Sequence, residues 1–144
     1  MKSEASSITS DEWLLRRIWH ERFFPRISPN AFLPRTKGRD IDEHGISLFR
    51  LSCLNSPSDI LVTMDSEKRL LTGIVQIPVS KLFELGIQVV SDPIPDILGH
   101  VLIPEISSTT YTNDKLQIIQ LMKQLADMAN EEGNQLIIPS SKTT

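Results

Sequence analysis

Apolar and polar positions alternate most cleanly at Ile46–Ser52. Ile46, Leu48, Arg50 and Ser52 fall on one side, and Ser47, Phe49 and Leu51 on the other. This predicts a strand with both faces partly covered. Thr72–Pro78, Ile87–Ser91 and Gly99–Pro104 read as further strands, the last two separated by a turn at Asp92–Asp96. Thr9 and Glu12 have capping-box spacing, so a short helical turn is expected there, running into a strand at Leu14–Ile18. Ser56-Pro57-Ser58-Asp59 combines a cap, a first-turn proline and an acid, and predicts a short helix ending near Met64. Val79–Leu85 predicts a helical turn or two, stopped by Gly86. Leu116, Ile119, Leu121, Met122, Leu125, Met128 and Ala129 recur at spacings near three and four. They predict an amphipathic helix from Asp114 to Glu131, capped by Asn113 and ended by Gly133.

Strands and helices follow one another without regular alternation. The expected fold is therefore α+β, a small mixed sheet covered by the C-terminal amphipathic helix. Residues 1–10 and 139–144 are small and polar and are expected to be flexible, leaving 11–138 as one domain. Glu21–Gly45 has neither period. Pro25, Pro29 and Pro34 interrupt it, yet Phe23, Phe24, Ile27 and Phe32 give it apolar anchors that should hold it against the core.

Charge changes the picture of that segment. Residues 16–39 hold Arg16, Arg17, Arg22, Arg26, Arg35, Lys37 and Arg39 against one acid, Glu21, a formal +6 in a chain whose total is -3. Six of the eight arginines lie there, among Trp19, His20, Phe23, Phe24 and Phe32. Arginine interleaved with aromatic rings suits phosphate, carboxylate or single-stranded nucleic acid. The same run equally describes a solvated loop, or one lying over the acidic remainder of the molecule. One cysteine, Cys53, excludes an intrachain disulfide and a cysteine-based zinc cluster. It reads as a packing residue. No apolar run is long enough for a secretory leader or a membrane helix, which leads to the expectation of a cytoplasmic protein without a membrane partner.

The chemical candidates are few. Asp40, Asp42 and His44 place three ligand-type side chains at alternate positions before Gly45, a weak metal pattern whose ordinary reading is a polar turn. Arg50 interrupts an apolar strand face and requires an anion, for which Asp42, Glu105 or a ligand phosphate could serve. His100 opens a later strand and is expected to share that polar site. Ser28 and Ser47 are the nearest hydroxyls in sequence, but neither sits in a nucleophile elbow, so nucleophilic hydrolysis is not expected. The six glycines are isolated, no phosphate loop is present, and no cofactor is expected.

Leu15-Arg16-Arg17-Ile18, Ile27–Phe32, Ile46–Arg50, Ser91-Asp92-Pro93 and Gly99–Ile103 together resemble a pattern of small bacterial proteins of no assigned function, over about half of the chain. That resemblance implies a bacterial, intracellular setting. An arginine on an early strand, Ser28 ahead of Ala31-Phe32 and a later histidine also loosely resemble ADP-ribosyltransferase-type folds. The sole tyrosine, Tyr111, and the lack of a catalytic glutamate motif depart from them. Two functions follow as expectations. One is an accessory module whose basic aromatic segment holds another protein with an acidic face, or, more remotely, nucleic acid. The alternative is a small enzyme or ligand-binding protein, nucleotide- or NAD-related, built on Arg16, His44, Arg50 and His100.

Overall fold

The computed structural model describes residues 7–38, 41–62, 65–95 and 98–139. Arg39 and Asp40, the Met64 helix end and most of both terminal segments lie outside the described residues. The elements in chain order are β1 (Trp13–Ile18), β2 (Ile46–Arg50), α1 (Ser66–Leu71), β3 (Gly73–Pro78), α2 (Val79–Glu84), β4 (Val90–Ser91), β5 (His100–Ile103), α3 (Ser108–Asn113), α4 (Lys115–Ala129) and β6 (Gln135–Ile137). Short 3-10 turns at Glu21–Phe23, Pro29–Phe32, Leu51–Cys53 and Pro57–Leu61 occupy the connections. The strands form one sheet in the order β4-β5-β2-β1-β3-β6, and every pair in it is antiparallel. The fold is α+β as expected, with a sheet narrower in type than the mixed one anticipated.

Strand alternation sends side chains to two covered faces. Leu14, Ile18, Ile46, Leu48, Val75, Ile77, Val101 and Ile103 enter the larger core, closed by Ile118, Met122, Leu125, Ala126 and Ala129 of α4 and by Ala31 and Phe32. Leu15, Phe49 and Ile74 point the other way, onto Leu54, Ile60 and Leu61. Met122, Leu125, Met128 and Ala129 of the predicted stripe are buried and Leu121 is partly buried, but Leu116 and Ile119 are exposed, and Ile118 and Ala126 enter the core in their stead. Asn113, however, ends α3 instead of capping α4, because Ser107 and Thr110 form a capping box that starts an earlier helix.

The irregular segment before β2 is held firmly. Ile27 and Phe32 are fully buried, and Phe23 and Phe24 pack against the same core. The Ile27 amide donates to Asn130 Oδ1 at 2.7 Å, and Asn130 Nδ2 donates to the Ile27 carbonyl at 2.8 Å, tying the segment to the end of α4. Gly45 has φ +133°, and a Cβ there would collide with the carbonyl of Ile103, so only glycine fits this entry to β2.

Candidate functional site

β1 keeps register with β3 along its whole length, from Trp13↔Pro78 to Ile18↔Gly73. With β2 it pairs only at Leu14↔Arg50 and Leu15↔Phe49. Beyond those pairs the two strands part, and the sheet opens. A cavity of about 720 Å³ occupies the opening. Its walls include Arg16 and Ala31 from the α4 side of the sheet, and Arg17, Ser47 and Phe49 from the other side. Side chains of both faces reach one cavity only because the ladder between the strands is interrupted.

Arg16 fills what the ladder leaves undone. Its Nη1 donates to the Ser47 carbonyl at 2.9 Å, and its Nε and Nη2 both donate to the Ala31 carbonyl, at 3.3 and 3.2 Å. Burial pushes Arg16 down to about 10; the charge of Asp42 opposes this, while Arg17 and Arg35 add to it. The guanidinium therefore remains charged at neutral pH. Arg17 lies over the rings of Trp19 and Phe49, 5.3 and 5.1 Å from their centroids, and donates to the Ile60 carbonyl at 3.0 Å. Burial lowers its pKa as well. Arg35 approaches the same indole at 6.0 Å. Lys68, His20 and Phe23 complete a cationic and aromatic wall, with Asp42 the one acid among its described residues. Asp42 accepts the Arg35 amide at 2.7 Å, which holds these two cavity-lining residues together.

The basic segment is thus partly concave. Arg16, Arg17 and the exposed Arg35 line the cavity, whereas Arg22, Arg26 and Lys37 are exposed outside it. Arg39 lies outside the described residues. The metal pattern gains no support: Asp40 is outside the described residues, His44 is exposed, and among the described residues no three His, Cys, Asp or Glu side chains gather.

Arg50 and His100 do not share a site. Phe49 is the cross-strand partner of His100, so the imidazole stands on the Phe49 face while Arg50 points to the opposite one. The anion of Arg50 is neither Asp42 nor Glu105 but Glu12, with Nε–Oε1 and Nη2–Oε2 both at 2.8 Å. These two side chains are 3% and 8% exposed. Glu12 also accepts the Thr9 amide at 2.9 Å and the Ser52 hydroxyl at 2.8 Å. The Glu12 amide donates to the Thr9 carbonyl at 3.2 Å, so the capping-box residues close one turn that runs into β1. Glu105 instead accepts the Gln88 amide. Arg16, His44, Arg50 and His100 therefore do not line one cleft.

His100 has other partners. Its Nδ1 lies 2.8 Å from the Asp92 carbonyl oxygen and 3.1 Å from Asp92 Oδ2, and its Nε2 lies 2.9 Å from Ser47 Oγ. Both neighbours of Nδ1 are acceptors, so Nδ1 carries the proton in neutral His100, and Nε2 accepts from the Ser47 hydroxyl. The ring also packs on Phe49 at 5.3 Å. Ser47 lines the cavity. No elbow motif marks Ser47. The available signal was its place two residues before Phe49 on one strand face, but the strand pairing that brings His100 to it has no trace in local sequence. Comparison of the chain with family models, with curated proteins and with solved structures gives no match, and the reading of this site rests on its geometry.

Proposed function

We propose that the chain binds a small molecule carrying an anionic group and a flat ring, in the opening between β1 and β2. This is the ligand-binding alternative, with its site moved from Arg50, His44 and His100 to Arg16, Arg17, Arg35 and Lys68. The observation that carries it is the convergence of four cationic side chains, opposed among the described residues by Asp42, on a cavity of about 720 Å³ with aromatic walls. That volume lies in the ordinary range of small-molecule sites. Arginines stacked on rings recognise phosphate or carboxylate by charge and a planar group by its face. A bound anion would also relieve the mutual repulsion of Arg16, Arg17 and Arg35.

Calorimetric titration with adenosine monophosphate, inorganic phosphate and benzoate tests the reading. Adenosine monophosphate is expected to bind more tightly than phosphate, and to lose at least tenfold in affinity between 50 mM and 500 mM salt or on replacing Arg17 with Gln. Failure of all three to bind at millimolar concentration overturns it. Exposed Arg22, Arg26 and Lys37 favour the second reading, a surface for an acidic protein. Charge reversal at those three positions would then abolish partner capture and leave adenosine monophosphate binding unchanged.

A further inference from the structure

We propose that Ser47 is a nucleophile in this cavity, with His100 as its general base and Asp92 as the residue that positions the imidazole, acting on a carboxylic ester that bears an anionic group. The inference rests on the cavity's proposed preference for anions, which names where the substrate's charge would sit; the Ser47–His100–Asp92 geometry stands without it.

A serine hydroxyl is a weak nucleophile until a base takes its proton during attack. Such a base must lie about 2.6–3.2 Å from the oxygen and must present its unprotonated nitrogen. His100 Nε2 meets both conditions at 2.9 Å, because Asp92 holds the proton on Nδ1 through its backbone carbonyl and its carboxylate. The imidazole is buried and fixed on the Phe49 ring, whereas Ser47 is half-buried and faces the cavity. The base is thus shielded, and Ser47 stands at the cavity wall. Arg16, bonded to the carbonyl of Ser47 itself, keeps a positive charge beside the same residue. That charge belongs to the cavity wall, where the anionic group of the substrate would sit.

In the first half-reaction the Ser47 Oγ–C bond forms at the ester carbonyl, the hydroxyl proton passes to His100 Nε2, and the carbonyl electron pair moves onto oxygen. Collapse breaks the bond to the alcohol oxygen, which leaves with the proton from Nε2. Water then adds to the acyl-serine, giving its proton to Nε2. Collapse releases the carboxylic acid and returns a proton to Ser47 Oγ, so the balance is ester plus water to acid plus alcohol.

The experiment is labelling of the intact protein with an alkyl fluorophosphonate, read by mass spectrometry and peptide mapping. The Oγ–P bond forms, the P–F bond breaks, and fluoride leaves with the proton carried by His100. A single adduct on Ser47 is expected, absent in Ser47→Ala and slowed at least tenfold in His100→Gln. Asp92 is half-exposed, so Asp92→Asn should keep the fold by circular dichroism, yet slow labelling at least fivefold. Asp92→Glu should restore part of the rate. The ring ¹⁵N shifts should report a protonated Nδ1 and a bare Nε2 in the unmodified protein. An unlabelled Ser47 in folded protein, or an adduct that survives Ser47→Ala, overturns the proposal. So does labelling indifferent to Asp92→Asn and His100→Gln, since a hydrogen-bond chain serving structure alone would give that result. Binding of adenosine monophosphate without labelling defeats the nucleophile and spares the anion site. Labelling without such binding does the reverse.

Discussion

Arg50 and Arg16 show two ways of keeping a guanidinium inside a sheet. Arg50 meets a carboxylate in a bidentate pair with Glu12, while Arg16 is satisfied by the backbone carbonyls of Ala31 and Ser47. Burial pushes the Glu12 carboxyl up, but hydrogen bonds from Arg50, Thr9 and Ser52 and the charge of Arg50 outweigh it, and its pKa falls below 4.5. A depressed acid stabilises the fold above its unfolded pKa, and that contribution is lost as pH falls through the folded value. Urea unfolding should therefore show Glu12→Gln less stable than the parent at pH 7, with the difference shrinking as pH drops well below 4.5. Arg50→Ala leaves the enclosed Glu12 carboxylate without this cation, and should cost about 3–5 kcal/mol at pH 7. Arg16→Lys keeps the charge but not the fork that spans two carbonyls. One of them loses its donor, and denaturant melts should register about 1–3 kcal/mol.

At the scale of elements, the connection between β1 and β2 is bound more tightly than its lack of period suggests. Asn130, just past α4, closes two hydrogen bonds on the backbone of Ile27. Asn130→Ala should cost about 1–3 kcal/mol and speed hydrogen exchange around Ile27 more than in β3, as mass-resolved exchange would show. On α4 itself, Leu125 is fully buried, and Leu125→Ala should lower stability by about 2–5 kcal/mol. A loss below about 1 kcal/mol would mean that this face contributes little to the core. The extent of α4, the inward Met122, Leu125, Met128 and Ala129 and the alternation of β2 were legible because each depends on a local period, whereas Leu116 and Ile119 fit that period loosely and are exposed. The shortness of β4, the helices α1 and α3 and the strand β6 were not. Val90 and Ser91 alone pair with β5, and β6 exists because Ile137 and Gln135 meet Ile74 and Val75. Pairing, not propensity, decides such short strands.

Across the whole molecule, the half-paired β1–β2 ladder joins the basic segment, both sheet faces and the His100 strand at one opening. A ligand that binds there adds to stability by mass action, about 2.7 kcal/mol at a hundred times its dissociation constant. Saturating adenosine monophosphate should accordingly raise the melting temperature by several degrees, and the shift should vanish in Arg17→Gln measured by scanning calorimetry. Among the described residues, no helix is long and apolar enough to cross a membrane.

The sequence by itself determined the α+β class, the amphipathic C-terminal helix, the burial of Ile27 and Phe32, and the crowding of arginine and aromatic rings before β2. Each of these follows from composition or from a period read over a few neighbouring residues. Tertiary structure alone decided that Glu12 rather than Asp42 or Glu105 answers Arg50, that Arg50 and His100 face apart, and that Ser47, His100 and Asp92 meet. Ser47 and His100 are joined across 53 residues of chain. Their contact depends on which strands pair and in what register, and a shift of one residue would send His100 to the other face. Local sequence carries no record of that register, because it is selected by the packing of both covered faces at once.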